Sequence, residues 1–208
     1  VSFPNTILSD HEKHIENVQK FNITPIIAIN QFTADTPEEI QVVKDFGKQY
    51  GVKVALANVW ADGGNGALEL AKEVIETLKT TSKNDFSALY KWDETVEDKI
   101  NTIAKNIYGA SAIEYTAKAK SDLKRIQKLG LNHLPICMAK TQKSLSDDDS
   151  LRGKPDNFTL SIREIEIASG AGFIIPIAGN MMRMPGLPAH PAAEQIDVDA
   201  HGNIKGLF

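Results

Sequence analysis

Cysteine is nearly missing from this sequence. Cys137 is the one thiol in 208 residues, so no disulfide can close within the chain. It lies inside the apolar run 134–139, which predicts a buried, inert side chain rather than a nucleophile. An excess of positive charge is missing as well. Against 23 Lys and Arg stand 27 Asp and Glu, a net charge of −4, which offers no basic field to nucleic acid. No apolar run approaches the roughly 20 residues of a membrane-spanning helix, and no signal peptide opens the chain, so the expected setting is the cytoplasm, off the membrane. The chain starts at Val1 rather than Met, as expected of a processed product or a piece of a longer protein. It also lacks an internal repeat, a low-complexity segment and the phosphate-loop pattern GxxxxGK[ST].

What is present has the composition of a globular protein, 42% hydrophobic and 24% charged. The length allows one large domain or two small ones, either able to bury a core. Ser9 and Glu12 form a capping-box pattern ahead of a helix carrying Ile15, Val18 and Phe21, with Asn22 as its stop and 1–8 irregular. Residues 24–30 read as a strand. Thr36, Pro37 and Glu39 then start a helix with Ile40, Val43, Phe46 and Tyr50 on one face, ended by Gly51. A second strand follows in 52–59, so the segment predicts a βαβ unit with parallel strands. Ala67, Ala71, Val74, Ile75 and Leu78 mark a further amphipathic helix.

Asp93 is placed to cap a helix with Val96, Ile100, Ile103, Ala104 and Ile107 on its face, ending near Gly109. No strand signal accompanies it, so a domain division is expected there: 1–109 as a Rossmann-like α/β domain with a parallel sheet, and 110–208 as a smaller α+β domain. In the second part, 118–129 predicts a helix stopped by Gly130, 135–139 a strand, and 140–157 a polar loop. Residues 158–163 alternate as a half-buried strand, and 172–178 is an apolar strand whose Pro176 argues for an edge or bulge. A hairpin is expected to turn around 201–203.

The candidate site sits after the two parallel strands. Phe32 and Trp60 each follow a strand end, and the carboxyl edge of such a sheet is where open α/β folds hold ligands. Two readings stand: ordinary core aromatics, or two rings gripping a flat heterocycle. Asn30 could donate and accept at the edge of such a ring. The run 61–67, ADGGNGA, opens a helix and reads as a plain turn, with an anion cradle as the alternative. Lys140, Thr141 and Gln142 follow the 135–139 segment as possible polar contacts, or as a solvated loop. The acidic run 146–150 lacks the central glycine and distal glutamate of a calcium loop and predicts capping or solvation. His11 and His14 lack zinc-helix spacing, so no metal site is assigned.

Several long motifs occur in order: EKHIENV at 12–18, IIAINQFTADT at 26–36, VWADGGNG at 59–66, LPICMAKTQKSLSDD at 134–148, MPGLPAHPAAEQID at 184–197, and the closing GNIKGLF. Through them the chain resembles the C-terminal part of formate–tetrahydrofolate ligase. The resemblance implies an ATP-dependent ligase making 10-formyltetrahydrofolate from formate and tetrahydrofolate through formyl phosphate, with magnesium accompanying ATP. It implies that Phe32 and Trp60 stack on the pterin ring, and that Lys140, Thr141 and Gln142 belong to a motif near the active cleft. It also implies an N-terminal nucleotide-binding domain holding the phosphate loop, and a homo-oligomer when complete. This chain alone is then expected to carry no catalytic residue and to be inactive. Lys143 stands where the family commonly has an aromatic residue, and 1–10 departs from the family's usual lead-in. A folate- or nucleotide-binding accessory module, or a scaffold fragment, is the alternative.

Overall fold

The computed structural model describes residues 5–81, 86–181 and 188–206, with backbone alone for 5–7. The family-like motif at 184–197 therefore lies partly outside the described residues, as does the end of the closing one. Helix α1, Asn5–Gln19, leads to strand β1, Ile26–Asn30, helix α2, Pro37–Gln49, and strand β2, Lys53–Ala57. β1 and β2 pair in parallel, from Ile26 against Lys53 to Asn30 against Ala57. The α/β class expected from the sequence is the class observed. α2 begins as its sequence requires. Thr36 accepts from the Glu39 N–H, and the Glu39 carboxylate accepts from the Thr36 N–H at 2.8 Å. Gly51 ends the helix at φ +66°, a conformation open to glycine. Ile15, Phe46 and Val52 form a small core here, with Leu8, Ile27 and Tyr50 against it.

Two starts differ from expectation. Ser9 does not cap α1; the helix runs back to Asn5, and that extra turn brings Leu8 onto the Ile15 core. The helix after β2 begins as a single turn, α3, Val59–Asp62, passes through a tight 3₁₀ segment at Gly63–Ala67, and continues as α4, Leu68–Thr80. α4 turns its polar side inward, with Glu73 paired to Lys53 of β2 at 2.6 Å. Its apolar stripe, Leu68, Val74, Ile75 and Leu78, faces out.

The larger core lies further on. Helix α5, Val96–Ile103, is capped by Thr95, not Asp93: Thr95 Oγ1 accepts from the Asp98 N–H at 3.1 Å, a bond suited to a threonine hydroxyl. α5 widens into a π turn at Ala104–Tyr108 and stops at Gly109 with φ +85°. Strand β3, Ala112–Tyr115, then follows where no strand was expected, four residues being too short for a clear period. Helix α6, Ala117–Lys128, ends before Gly130 at φ +69°, as its sequence implies. Strands β4, Thr159–Ala168, and β5, Phe173–Ala178, complete a sheet ordered β3-β4-β5, parallel then antiparallel. Pro176 sits on β5, at the end of that order, as its missing N–H demands.

Val96, Ile100 and Ala104 pack with Ile126, Leu160, Ile162 and Ile174, so this core takes in α5 from the N-terminal side of the expected 109/110 division. The 135–139 segment is not a strand but makes single parallel bridges, Ile136 to Ile174 and Ala139 to Ile177. Its alternation puts Ile136 and Met138 on the core and turns Cys137 outward, so the expected burial of that thiol is wrong. A short hairpin, β6 at Asp197–Val198 and β7 at Ile204–Lys205, follows the expected turn.

The two regions are tied across α1. Lys154 Nζ donates to Glu12 at 2.9 Å and Glu16 at 2.6 Å, and Lys13 Nζ donates to the Asn106 carbonyl at 3.2 Å. Among the described residues no helix is long and apolar enough to cross a membrane.

Candidate functional site

The parallel pairing of β1 and β2 ends at Asn30 and Ala57, so the segments carrying Phe32 and Trp60 leave the sheet side by side. The chain is held there beyond the strands by the Gln31 N–H, which donates to the Ala57 carbonyl at 3.2 Å. The two rings face one another, 6.4 Å between centroids and 18° from parallel. Phe32 is 55% exposed and Trp60 56%. Exposure of two large aromatics in mutual register removes the core reading of the pair.

Each ring is fixed from behind. The Trp60 indole N–H donates to the Gln31 carbonyl at 2.8 Å, which anchors the indole to the loop bearing Phe32. The Phe32 N–H donates to the Asp35 carboxylate at 2.7 Å, fixing that loop in turn. The aspartate thus shapes the turn.

The glycines explain how Trp60 reaches its place. The Asn58 N–H donates to the Gly66 carbonyl at 3.0 Å, closing the 58–66 segment into a compact loop. A Cβ on Gly66 would overlap the Asn58 carbonyl oxygen and stand 2.5 Å from its carbon and 3.0 Å from Val59 N. Only a residue without a side chain lets the loop close so tightly. Asn58 Nδ2 also donates to the Asp62 carboxylate at 2.7 Å. The ADGGNGA run therefore packs the tryptophan turn.

Asn30 ends β1, is exposed, and stands two residues before Phe32. The polar trio has different neighbours. Lys140 and Gln142 line a cavity with Asp10, His14, Tyr108 and Lys143. Thr141 and Gln142 line a second with Asp147, Asp148, Asp149, Asn180 and Met181. Lys140 Nζ donates to the carbonyls of Thr141, at 2.9 Å, and Ser144, and lies 5.1 Å from the Tyr108 ring centroid. Burial pushes its pKa down, while Asp147, Asp10 and Asp149 pull the other way. Thr141 Oγ1 accepts from the Lys143 N–H at 3.2 Å.

Within the acidic run, Asp148 accepts from the Ser150 N–H at 2.8 Å and hydroxyl at 2.7 Å, and Asp147 accepts from the Ser161 N–H at 3.1 Å. These carboxylates hold turns, as their composition predicts. Among the described residues no three His, Cys, Asp or Glu side chains gather as a metal site.

Sequence reasoning missed the Gln31 carbonyl, because a backbone acceptor carries no residue signal. It also missed the specific need for Gly66, although the glycine run pointed to its neighbourhood. Arg152, His14 and Tyr108 were missed as cavity residues, since only the fold brings positions so distant in sequence together. Compared with known families, residues 6–208 match the family model described as formate–tetrahydrofolate ligase.

Proposed function

Since this chain belongs to the formate–tetrahydrofolate ligase family, we propose that it forms the folate-holding side of that ligase, with Phe32 and Trp60 gripping the pterin ring. The observation that carries the reading is the near-parallel pair of exposed rings at 6.4 Å. A flat ring inserted between two others needs about twice the 3.5 Å carbon contact distance, or about 7 Å. The 6.4 Å between centroids approaches that distance, and the pair must open to reach it. Phe32 stands on a loop and Trp60 on the single turn α3, both beyond the strand ends and both exposed. Stacking contributes about 0.5–1.5 kcal/mol per ring pair beyond area burial.

Asn30, beside Phe32, offers an amide to the ring's polar edge. Within this chain the clamp binds and orients. By holding the pterin between its two rings it covers both ring faces and leaves the ten-position nitrogen, outside the ring, to meet an activated formyl group. ATP, with magnesium, supplies the energy and charge compensation that formate activation needs. The sequence has no GxxxxGK[ST] phosphate loop, and in this reading the nucleotide is held by groups outside these residues. Lys140, Thr141 and Gln142 serve, in this reading, as polar contacts on the substrate side rather than as acids or bases. The intact protein acts as a cytoplasmic homo-oligomer whose N-terminal domain carries the nucleotide.

The test is turnover. The purified 208-residue chain, given ATP, magnesium, formate and tetrahydrofolate, is expected to form no 10-formyltetrahydrofolate above the uncatalysed rate while still binding tetrahydrofolate. Formylation by the chain alone refutes the division of labour. Failure to bind folate leaves the scaffold reading in its place.

A further inference from the structure

A further cavity, of about 340 Å³, lies where the chain just past α1 meets the segment 86–92, α5 and the segment 136–138. Its size is near the lower end of small-molecule sites, roughly 300–1,000 Å³. Neither ring of the Phe32–Trp60 pair lines it, nor do Lys140, Thr141 or Gln142. Among the described residues no charged side chain lines it either, unlike the cavity beside Lys140.

One wall is aromatic and is held in place. Phe21 and Phe86 stack at 6.0 Å between centroids and 13° from parallel. The Ser87 N–H donates to the Phe21 carbonyl at 3.0 Å, which ties the two ring-bearing segments together. Phe86 is 59% exposed and Trp92 63%, so these faces are not spent on the core. On the α5 side, the π turn closes from the Gly109 N–H to the Ala104 carbonyl. So wide a turn brings positions four and five apart to one side, and Ile103, Ile107 and Tyr108 all line the cavity. Single π turns of this kind recur at functional sites.

Two phenols supply the polar groups of this apolar wall. The Tyr90 hydroxyl accepts from the Ile136 N–H at 3.1 Å, and its own proton has no acceptor among the described residues. Burial pushes the Tyr108 pKa up to about 12, which keeps that phenol neutral and a donor as well. The site therefore offers ring faces and O–H donors, but no charge.

We propose that this cavity binds an uncharged, flat aromatic molecule carrying a hydrogen-bond acceptor, with its ring against Phe21, Phe86 and Trp92 and its acceptor on the Tyr90 O–H. Charge is the first selector: an ion entering here loses its hydration and finds no counter-charge to replace it. The ring is the second. Aromatic pairs gain attraction beyond the area they bury, and the Met138 thioether on the same wall favours a ring edge. An aliphatic chain of equal volume gains neither. Size is the third, since a concavity this small takes one or two fused rings rather than a protein face, which needs about 800 Å² per partner. The inference does not rest on the folate-holding reading, and its probe contains no folate.

Equilibrium dialysis against quinoline, at a pH where its nitrogen is unprotonated, tests this. The chain carries Phe32→Ala, so that the exposed ring pair cannot take up the probe. Saturable uptake of a single quinoline per chain is expected. In that background Trp92→Ala raises the half-saturating concentration about threefold to tenfold, the scale of one lost ring pair. Its side chain is exposed and its carbonyl keeps the bond from Lys99, so the fold is left intact. Tyr90→Phe raises the value by a similar factor for quinoline but not for naphthalene, which has no acceptor; that comparison separates a lost hydrogen bond from a disturbed fold. Leu78→Ala, which removes an equally exposed apolar side chain from α4, leaves uptake unchanged. Cyclohexanone, with an acceptor but no aromatic ring, binds at least about tenfold more weakly than quinoline. Uptake that is absent, that never saturates, or that is equal with and without Trp92→Ala overturns the proposal. So do a loss in Leu78→Ala, cyclohexanone binding as tightly as quinoline, and equal losses of quinoline and naphthalene in Tyr90→Phe.

Discussion

Replacing Gly66 by alanine probes how the tryptophan is placed. The new Cβ would stand 2.5 Å from the Asn58 carbonyl carbon, whereas carbons in contact lie about 3.5 Å apart. The Asn58–Val59 peptide must therefore retreat by about 1 Å. No flexible side chain is available to absorb the overlap, since all three nearest atoms are backbone. The movement stretches the 3.0 Å bond from Asn58 N–H to the Gly66 carbonyl, whose net worth is about 0.5–1.5 kcal/mol. Overpacking of this kind costs about 1–3 kcal/mol in all. A displacement of about 1 Å one residue before Trp60 also shifts the indole relative to Phe32, so the slot loses its register.

Two neighbouring glycines supply controls. Around Gly64 there is open space, and Gly64→Ala should be nearly neutral. Gly63 has open space but φ +54° with ψ −137°, outside the left-handed helical well, so Gly63→Ala carries backbone strain alone, about 1–3 kcal/mol. Urea denaturation gives the stabilities and tetrahydrofolate titration the affinities. Gly66→Ala should be less stable than Gly64→Ala and, unlike Gly63→Ala or Gly64→Ala, should bind folate about threefold to tenfold more weakly than wild type, the equivalent of one lost ring contact. A Gly66→Ala chain as stable as Gly64→Ala, with unchanged affinity, refutes the reasoning.

The buried Lys99 donates to the carbonyls of Trp92 at 2.8 Å, Asn132 at 2.6 Å and Leu134 at 3.3 Å, so Lys99→Met keeps the volume but strands three acceptors. The expected loss is about 2–4 kcal/mol in urea denaturation, and a neutral result would mean that these carbonyls find other partners. Lys154→Met removes the tie to Glu12 and Glu16, which is partly exposed and screened, at about 0.5–1 kcal/mol. Its pH dependence follows from the hydrogen bonds: Lys154 holds the Glu12 pKa below its ordinary 4.5, and Glu16 and then Glu12 hold the Lys154 pKa above its ordinary 10.5. The contribution is present above the unfolded Glu12 pKa and is lost as pH falls through the lower folded value. At the alkaline end it is full below the unfolded Lys154 pKa and lost as pH rises through the higher folded one. Stability of wild type and Lys154→Met should therefore differ at pH 7 and converge as pH falls through the lowered folded Glu12 pKa; a constant gap contradicts the assignment.

Legibility followed the range of each signal. The start of α2 was readable because the Thr36–Glu39 box and Pro37 act within one turn. The parallel pairing of β1 and β2 followed from two apolar runs joined by one helix, and with it the two aromatic residues after the strand ends. That Phe32 and Trp60 were exposed and parallel was not readable, because a ring's exposure depends on what covers it. β3 was hidden by its brevity, and its pairing with β4, Ala112 against Thr159, joins positions far apart in sequence. The burial expected for Cys137 failed for a local reason: an apolar run was read as wholly inside, while single bridges to β5 sorted its residues alternately in and out. α4 shows the same limit. Its apolar stripe was visible, but Leu68, Val74, Ile75 and Leu78 are exposed while Glu73 pairs with Lys53 of the sheet.

The central claim is that the faces of Phe32 and Trp60 hold a flat ring. Trp60 and Trp92 are the two tryptophans, so a Trp92→Phe chain reports from Trp60 alone. Titrated with tetrahydrofolate, that chain is predicted to show saturable quenching, with the half-saturating concentration raised about threefold to tenfold or more by Phe32→Ala. Emission that does not respond, or a Phe32→Ala curve that superimposes on its parent, contradicts the claim.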